Sequence, residues 1–557
     1  ISRSCVRELF VRPKFRLAML IIFGCHSAAG LAQQSGNPFE SVSNQSEWTV
    51  GAPSGEEFVV PDTVPDPFIQ QSSEAASITI GAVSVKSEPH IPAEVLASSY
   101  EKFIGQETSQ DVLRNLANAV SAAARNGGYI FASAQIPEQS VKIGIVEVLL
   151  DPGAIDEVRI IGSNSRRLRK ILDQLRCSAA LSHVVERQLL LAGDLPGITL
   201  LNSNYRHEDG KGVLIVTVRE DRATGHVALD NYGPETLGPV RARLDLDLAG
   251  LLTDSDVLTT NVISSAFQPK ELTYIYARYA TTLGNGSTVV GLSAASGRTQ
   301  SGGNLSNLDL TGYNRYASVF VSHSLKRSND LNLWLNAELA YLDVQQSQNG
   351  LLFQDDQIAT AALNFVGNYG VGIGRIYGGI GVTQGLGILG ASRSGDPLNS
   401  RDDGSGEFTK ANLWINSILN IGDCFGMRLA GNAQIASRPL LYANEIAIGG
   451  PYFGRGYDFS ERFGDEGVLG LAELRKEFND VTGWLDWFQL YAFVDGGYVS
   501  NIGTGFGDGS LASAGGGMRS QIGRFDFGIE AAAPMGNDRF ESGDQSPKIN
   551  VQVGLRF

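Results

Sequence analysis

The stretch from Arg222 to Phe557 constrains the fold of this chain most. No long helix can be drawn in it. Segments of about ten residues alternate polar and apolar, separated by clusters of Gly, Asn, Asp and Ser. Arg241 to Leu248 alternates without a slip. Leu331, Leu333, Leu335, Ala337, Leu339 and Tyr341 make one face of a segment whose other face carries Asn332, Asn336 and Glu338. At the end of the chain Ile549, Val551, Val553, Leu555 and Phe557 oppose Asn550, Gln552, Gly554 and Arg556. A period of two is that of a β-strand with one polar and one apolar face. Alternation alone does not say which face is wet. In a soluble sandwich the apolar face packs inward; in a membrane barrel it meets lipid and the polar face lines a lumen.

Three features favour the membrane. Residues 1–32 read as a secretory signal: Arg3, Arg7, Arg12, Lys14 and Arg16 form a basic start, Leu17 to Gly24 a short apolar run, and Gly30-Leu31-Ala32 a small-residue cleavage site. The apolar run is far below the ~20 residues that span a bilayer as a helix. Residues 222–557 are too many for one common sandwich, yet divide into about 16 strands of about 21 residues with their turns. The chain also closes on an aromatic residue. The expected fold is a transmembrane β-barrel of about 16 antiparallel strands, wide enough for a water-filled lumen. The 66 glycines suit a chain of many turns and bends.

Two α+β units are expected ahead of the barrel. Residues 33–76, with Pro61, Pro65 and Pro67, read as a linker or N-terminal arm. In 77–153 a strand at Ile78–Val85 precedes helices at Pro92–Phe103 and Ser109–Asn126. Val112, Leu113, Leu116, Val120 and Ala123 give the second helix one apolar face, and Gly127-Gly128 ends it. Strands at Tyr129–Ile136 and Gly144–Leu150 complete the unit, with Tyr129 and Phe131 read as core residues of the first of these strands. Residues 154–221 repeat the β-α-α-β-β plan in divergent form. Outside the signal, Cys177 and Cys424 fall in different domains and are not expected to pair.

Several segments resemble the two-partner secretion outer-membrane transporters, the haemolysin secretion/activation family. Asn126-Gly127-Gly128-Tyr129, then Ala134-Gln135-Ile136-Pro137-Glu138-Gln139, then Gly144-Ile145-Val146-Glu147-Val148 resemble the family's first POTRA (polypeptide-transport-associated) domain. Leu195-Pro196-Gly197 is similar to its second POTRA domain, and Asp230-Asn231-Tyr232-Gly233 with Gly238 to the start of its barrel. Gly449-Gly450-Pro451-Tyr452-Phe453-Gly454-Arg455-Gly456-Tyr457 resembles the Val-Arg-Gly-Phe/Tyr motif at the tip of a loop that folds back into the lumen, with Gly454 where Val is usual. Gly464-Asp465-Glu466-Gly467 and Glu473 continue it, and Phe493-Val494-Asp495-Gly496-Gly497 resembles the family's Phe-x-Asp-x-Gly strand.

The resemblance implies that Arg455 reaches Asp495 on the inner barrel wall and fixes the loop, with Gly454 and Gly456 letting the tip turn beside Tyr457. An Arg in a restricted polar space is stable where carboxylates meet its planar fork. It also implies periplasmic POTRA domains, a location in the outer membrane of a Gram-negative bacterium, and capture and export of an unfolded exoprotein of β-helical haemolysin or adhesin type. Phe557 resembles the signal read by barrel-assembly machinery. The protein is expected to be a monomer in contact with outer-membrane lipid. The alternative within the same superfamily is an assembly factor that inserts other barrels. A plain porin lacks POTRA domains.

Catalysis, cofactors and metals are not expected. There is no Gly-x-x-x-x-Gly-Lys-Ser/Thr loop and no evident Gly-x-Ser-x-Gly elbow. His26, His90, His183, His207, His226 and His323 lack zinc-ligand spacing. A net charge of −15 argues against nucleic acid as a partner.

Overall fold

The computed structural model describes residues 79–557 apart from 89–90, 138–143, 177–179, 423 and 483–484. The expected signal, the arm at 33–76, Cys177 and the Glu138-Gln139 pair lie outside the described residues.

The first unit runs β1 (Ala82–Ser87), α1 (Ala93–Tyr100), α2 (Gln110–Asn126), β2 (Ser133–Gln135) and β3 (Ile145–Asp151). Its sheet has the order β1-β3-β2, with β1 parallel and β2 antiparallel to β3. Ser109 Oγ caps α2 by accepting the Val112 N–H at 3.3 Å. Leu116, Ala117, Val120 and Ala124 bury the apolar face of α2 against the sheet. Gly128, at φ +97°, supplies the left-handed residue that ends the helix.

The second unit runs β4 (Glu157–Ile161), α3 (Arg166–Leu172), α4 (Ser182–Gly193), β5 (Ile198–Glu208) and β6 (Lys211–Glu220). Its sheet, β4-β6-β5, repeats the same parallel and antiparallel pairings.

The strand expected at Tyr129–Ile136 is shorter, covering only Ser133–Gln135. The left-handed Gly128 and the turn closed by Ala132 N–H to Tyr129 C=O (2.9 Å) keep residues 129–132 off the ladder. Instead Tyr129 pairs with Leu181 of the second unit, and Ser182 N–H donates to Gly128 C=O at 2.8 Å. Phe131 is buried, but in the core of the second unit, stacked on Tyr205 with ring centroids 3.8 Å apart. The two units therefore share packing. Burial, and then the nearby carboxylates of Asp151 and Asp156, push the Tyr205 phenol well above its ordinary range, so it remains a donor to Ala154 C=O at 3.0 Å.

Among the described residues sixteen antiparallel strands between Ala223 and Arg556 close into a barrel. It begins with β7 (Ala223–Asp230) and ends with β24 (Lys548–Arg556), and these two pair across the closing seam. The alternation resolves as for a membrane barrel. On β24 Ile549, Val551, Val553 and Leu555 are exposed outward, while Asn550 and Gln552 are buried inside. Apolar residues on the exposed face and buried polar residues on the inner face invert the pattern of a soluble sandwich. No helix among the described residues is long and apolar enough to cross a membrane, which says nothing about strands. At the end where the chain enters the barrel, turns clasp the second unit. Arg327 meets Asp194 through two bonds of 2.6 and 2.8 Å, and Asn329 N–H donates to Glu186 at 2.7 Å.

Candidate functional site

Residues 437–465 link β17 (Phe425–Ala436) to β20 (Glu466–Thr482) and carry a short hairpin of β18 (Ile446–Ile448) and β19 (Arg462–Gly464). Beyond the hairpin the chain turns through Gly449 (φ +116°), Gly450 (φ +97°) and Gly454 (φ +78°), conformations that suit glycine. Gly456 differs. Its φ is not positive, but a Cβ there would stand 2.7 Å from the backbone of Ala533 and Pro534 on β23 (Phe525–Pro534). It sits in the tight turn expected from sequence, closed by Tyr457 N–H to Gly454 C=O at 2.9 Å, and it also allows close approach to the wall. Gly456→Ala should push the tip off β23 at a cost of about 1–3 kcal/mol. Increased protease nicking of the loop in folded barrels would check this; wild-type protection would refute it.

The turn delivers Arg455 to the wall, 4% exposed. Its Nε donates to Asp495 Oδ2 at 3.0 Å, and its backbone N–H lies 3.3 Å from both oxygens of the same carboxylate. Nη1 reaches Glu530 Oε2 at 2.7 Å, and Nη1 and Nη2 both reach Glu473 Oε2 at 3.1 Å. The guanidinium carbon lies 3.3 Å from the ring centroid of Phe493. The wall residues come from β20, β21 (Leu485–Ser500) and β23. On β21 Tyr491, Phe493 and Asp495 share the buried inner face, while Leu490 and Val494 point outward. Asp495 also accepts from Ser513 Oγ, and Glu530 from Tyr491 Oη at 2.9 Å.

Glu473 extends the network, receiving Arg475 Nε at 2.7 Å and Arg519 Nη1 at 3.1 Å on its other oxygen. Three carboxylates (Asp495, Glu473, Glu530) thus pair with three guanidiniums (Arg455, Arg475, Arg519), and Arg428 stands opposite Glu473 on the neighbouring strand. Buried charges demand such pairing. Tyr457 is fully buried among Ile446, Ile448, Leu469, Val499 and Leu511, and its Oη donates to Asn537 C=O at 3.3 Å.

The structure therefore brings Gly454, Arg455, Gly456, Tyr457 and Asp495 together in one site. Glu530, Arg475, Arg519 and Ser513 escaped the sequence reading. Strand alternation could place each on the inner face, but not at the height of the loop tip. Phe557 lies apart, half exposed on the outer surface. Its backbone exchanges two 3.0 Å hydrogen bonds with Gly225, and its ring covers that glycine, where a Cβ would be 2.4 Å from Phe557 Cζ. Cys424 is an exposed free thiol. Among the described residues no group of three or more His, Cys, Asp or Glu is placed to hold a metal ion.

Comparison with known proteins places this architecture. The family described as haemolysin secretion/activation protein ShlB/FhaC/HecB matches residues 210–520, and the ShlB-type POTRA domain matches residues 78–153. The heme/hemopexin transporter protein HuxB of Haemophilus influenzae strain 86-028NP is 22% identical over 437 residues, which cover 76% of each chain. The fold is that of CdiB from Escherichia coli, at 16% identity, TM-score 0.72, and coverage of 95% of this chain and 98% of that one. BamA from Haemophilus ducreyi lacking POTRA domains 1–3 is less similar: 12% identity, TM-score 0.51, and coverage of 86% and 100%. The family match spans more than half of the sequence and includes most of the barrel with its in-folded loop. The chain belongs to the haemolysin secretion/activation family of outer-membrane two-partner secretion transporters, which export a secreted partner protein through the barrel.

Proposed function

We propose that the two POTRA units stand in the periplasm, capture the unfolded exoprotein, and pass it into a barrel whose lumen is held closed by the loop pinned at Arg455. The observation that carries this reading is the buried Arg455 network, which fixes a glycine-rich loop to three wall carboxylates. A covalent plug would be permanent, whereas charge-assisted hydrogen bonds can exchange for water or for a passing chain. Among the described residues the sheets of the POTRA units end on one side in β2 and β5, whose outer edges pair with no further strand. An extended client can add a strand at such an edge, its main chain supplying affinity with little demand on sequence.

The client would then fold outside the cell, consistent with a β-helical haemolysin or adhesin, and that folding would rectify its passage. No catalytic role is assigned to the chain, and it acts as a monomer in outer-membrane lipid. Phe557, on the outer face beside the seam, is the residue for barrel-assembly machinery to read.

The test is coexpression with the N-terminal fragment of a large secreted protein encoded beside the gene. The fragment is expected in the medium only when this chain is present. A photo-crosslinking residue at Leu201, exposed on β5, should trap the fragment in transit. Correctly folded barrels that neither export nor crosslink it would shift the reading toward assembly of other barrels.

A further inference from the structure

A second cluster of buried charge lies at the opposite end of the loop from Arg455. Because β7 leaves the POTRA end, the links after β15 (Gly374–Leu386), β17 and β21 all fall at the far mouth of the barrel. Arg401, on the link to β16 (Thr409–Ile421), is 4% exposed. Its Nε donates to Asp403 Oδ1 at 2.6 Å. Its Nη1 donates to Glu445 Oε1 at 3.0 Å, Asp465 Oδ2 at 2.8 Å and Asn501 Oδ1 at 3.2 Å, and its Nη2 donates to Ile502 C=O. Glu445 and Asp465 stand on the two limbs of the in-folded loop, just outside its hairpin. Asn501 and Ile502 belong to the link between β21 and β22 (Gly509–Ile522). One guanidinium thus ties three separate segments.

The carboxylates are themselves tied to the same segments. Asp465 accepts from Leu440 N–H at 2.6 Å and from Ile502 N–H at 2.8 Å, and Asp403 accepts from Thr504 N–H at 2.8 Å. Two apolar clusters flank the charges. Phe408, Leu440, Leu441 and Ala443 pack on Val344 and Ile358 of the wall, and Tyr442, Phe463 and Phe506 meet edge to face at 5.5–5.9 Å. The charge is not balanced: Arg401 faces three carboxylates, and Glu445 Oε2 is buried with no hydrogen-bond partner among the described residues. Such a cluster depends on the cation that bonds all three carboxylates.

We propose that Arg401 is a second latch: it closes the far mouth by fastening the root of the in-folded loop to the two neighbouring links, independently of the Arg455 pin at the tip. Arg401 is a positioning residue that acts through Glu445 and Asp465. The proposal rests on the reading of the loop as the gate.

The test is single-channel conductance of the full chain in planar lipid bilayers, on barrels that keep the heat-modifiable mobility of the folded form. Arg401→Ala, Asp403→Ala and Arg455→Ala are compared with the wild type. Asp403 is partly exposed, so its removal loosens the tie between the two links while leaving less charge unpaired. Arg401→Ala is expected to raise mean conductance several-fold, Asp403→Ala by less, and Arg401→Lys to recover part of the closed state, since an ammonium supplies the charge without the five-donor fork. Wild-type conductance in both Arg401→Ala and Asp403→Ala, with Arg455→Ala opened, would overturn the second latch alone. Wild-type conductance in all three would overturn the gate reading as well.

Discussion

Replacing Arg455 by alanine is expected to reduce export of the partner protein by at least about tenfold while the barrel still assembles. The substitution strips Asp495, Glu473 and Glu530 of the one guanidinium that reaches all three. It also removes the guanidinium seated on Phe493. Breaking a fully buried pair costs about 3–5 kcal/mol, and a lumen that admits water brings the cost below that. A change of about 1.4 kcal/mol is enough to alter the ratio of pinned to free loop tenfold. A free loop samples many poses in the lumen, leaking ions yet obstructing a polypeptide. Assembly should survive, because strand pairing and the outer apolar face do not involve Arg455. Arg455→Lys should recover only part of the loss, as an ammonium has its three donors on one nitrogen and lacks the planar fork that spans the three carboxylates. The comparison is partner protein in the medium per folded barrel. Export by Arg455→Ala near the wild-type level would remove Arg455 from the mechanism.

Phe131→Ala is expected to destabilise the POTRA pair by about 3–5 kcal/mol, the usual cost of deleting a buried phenylalanine. The reason is positional. Phe131 leaves the chain between α2 and β2 of the first unit, yet its ring lies against Tyr205 in the core of the second. Removing it both opens a cavity and weakens the packing between the units, leaving the Tyr129–Leu181 bridge as a thinner link. In urea unfolding of a fragment spanning residues 79–221, the wild type should lose both units in one transition. Phe131→Ala should split it in two. Leu116→Ala, confined to the core of the first unit, should lower the midpoint without splitting. A single, barely shifted transition in Phe131→Ala would show that the units do not depend on this contact. Coupled units would offer the client their two sheet edges at a fixed spacing.

Much of the architecture was legible because it follows from local periodicity. A period of two sustained from Arg222 to Phe557 identifies strands with one polar and one apolar face, and their number fits one closed barrel. The second helix of the first unit was legible from its apolar spacing and from the glycines at its end. The break after Gly128 was missed: alternation at Tyr129–Ile136 looks like a strand, but Tyr129 pairs with Leu181 instead. Gly456 was read only as a turn residue, because sequence shows that a residue is small, not what approaches it.

By itself, then, the sequence determined the class of fold, the repeated α+β plan and the face on which each barrel residue would lie, since these depend on neighbours a few positions apart. Motif resemblance brought Arg455 and Asp495 into view as a pair. Only the tertiary structure decided which inner-face charges stand at one level. Glu473, Asp495, Arg519 and Glu530 come from four different strands, and their meeting depends on the register and stagger of the closed barrel. The same holds for Arg401, whose partners lie 44, 64 and 100 residues away. Alternation fixes the face a side chain takes; the hydrogen-bonded register fixes its height, and that register is a property of the whole closed sheet.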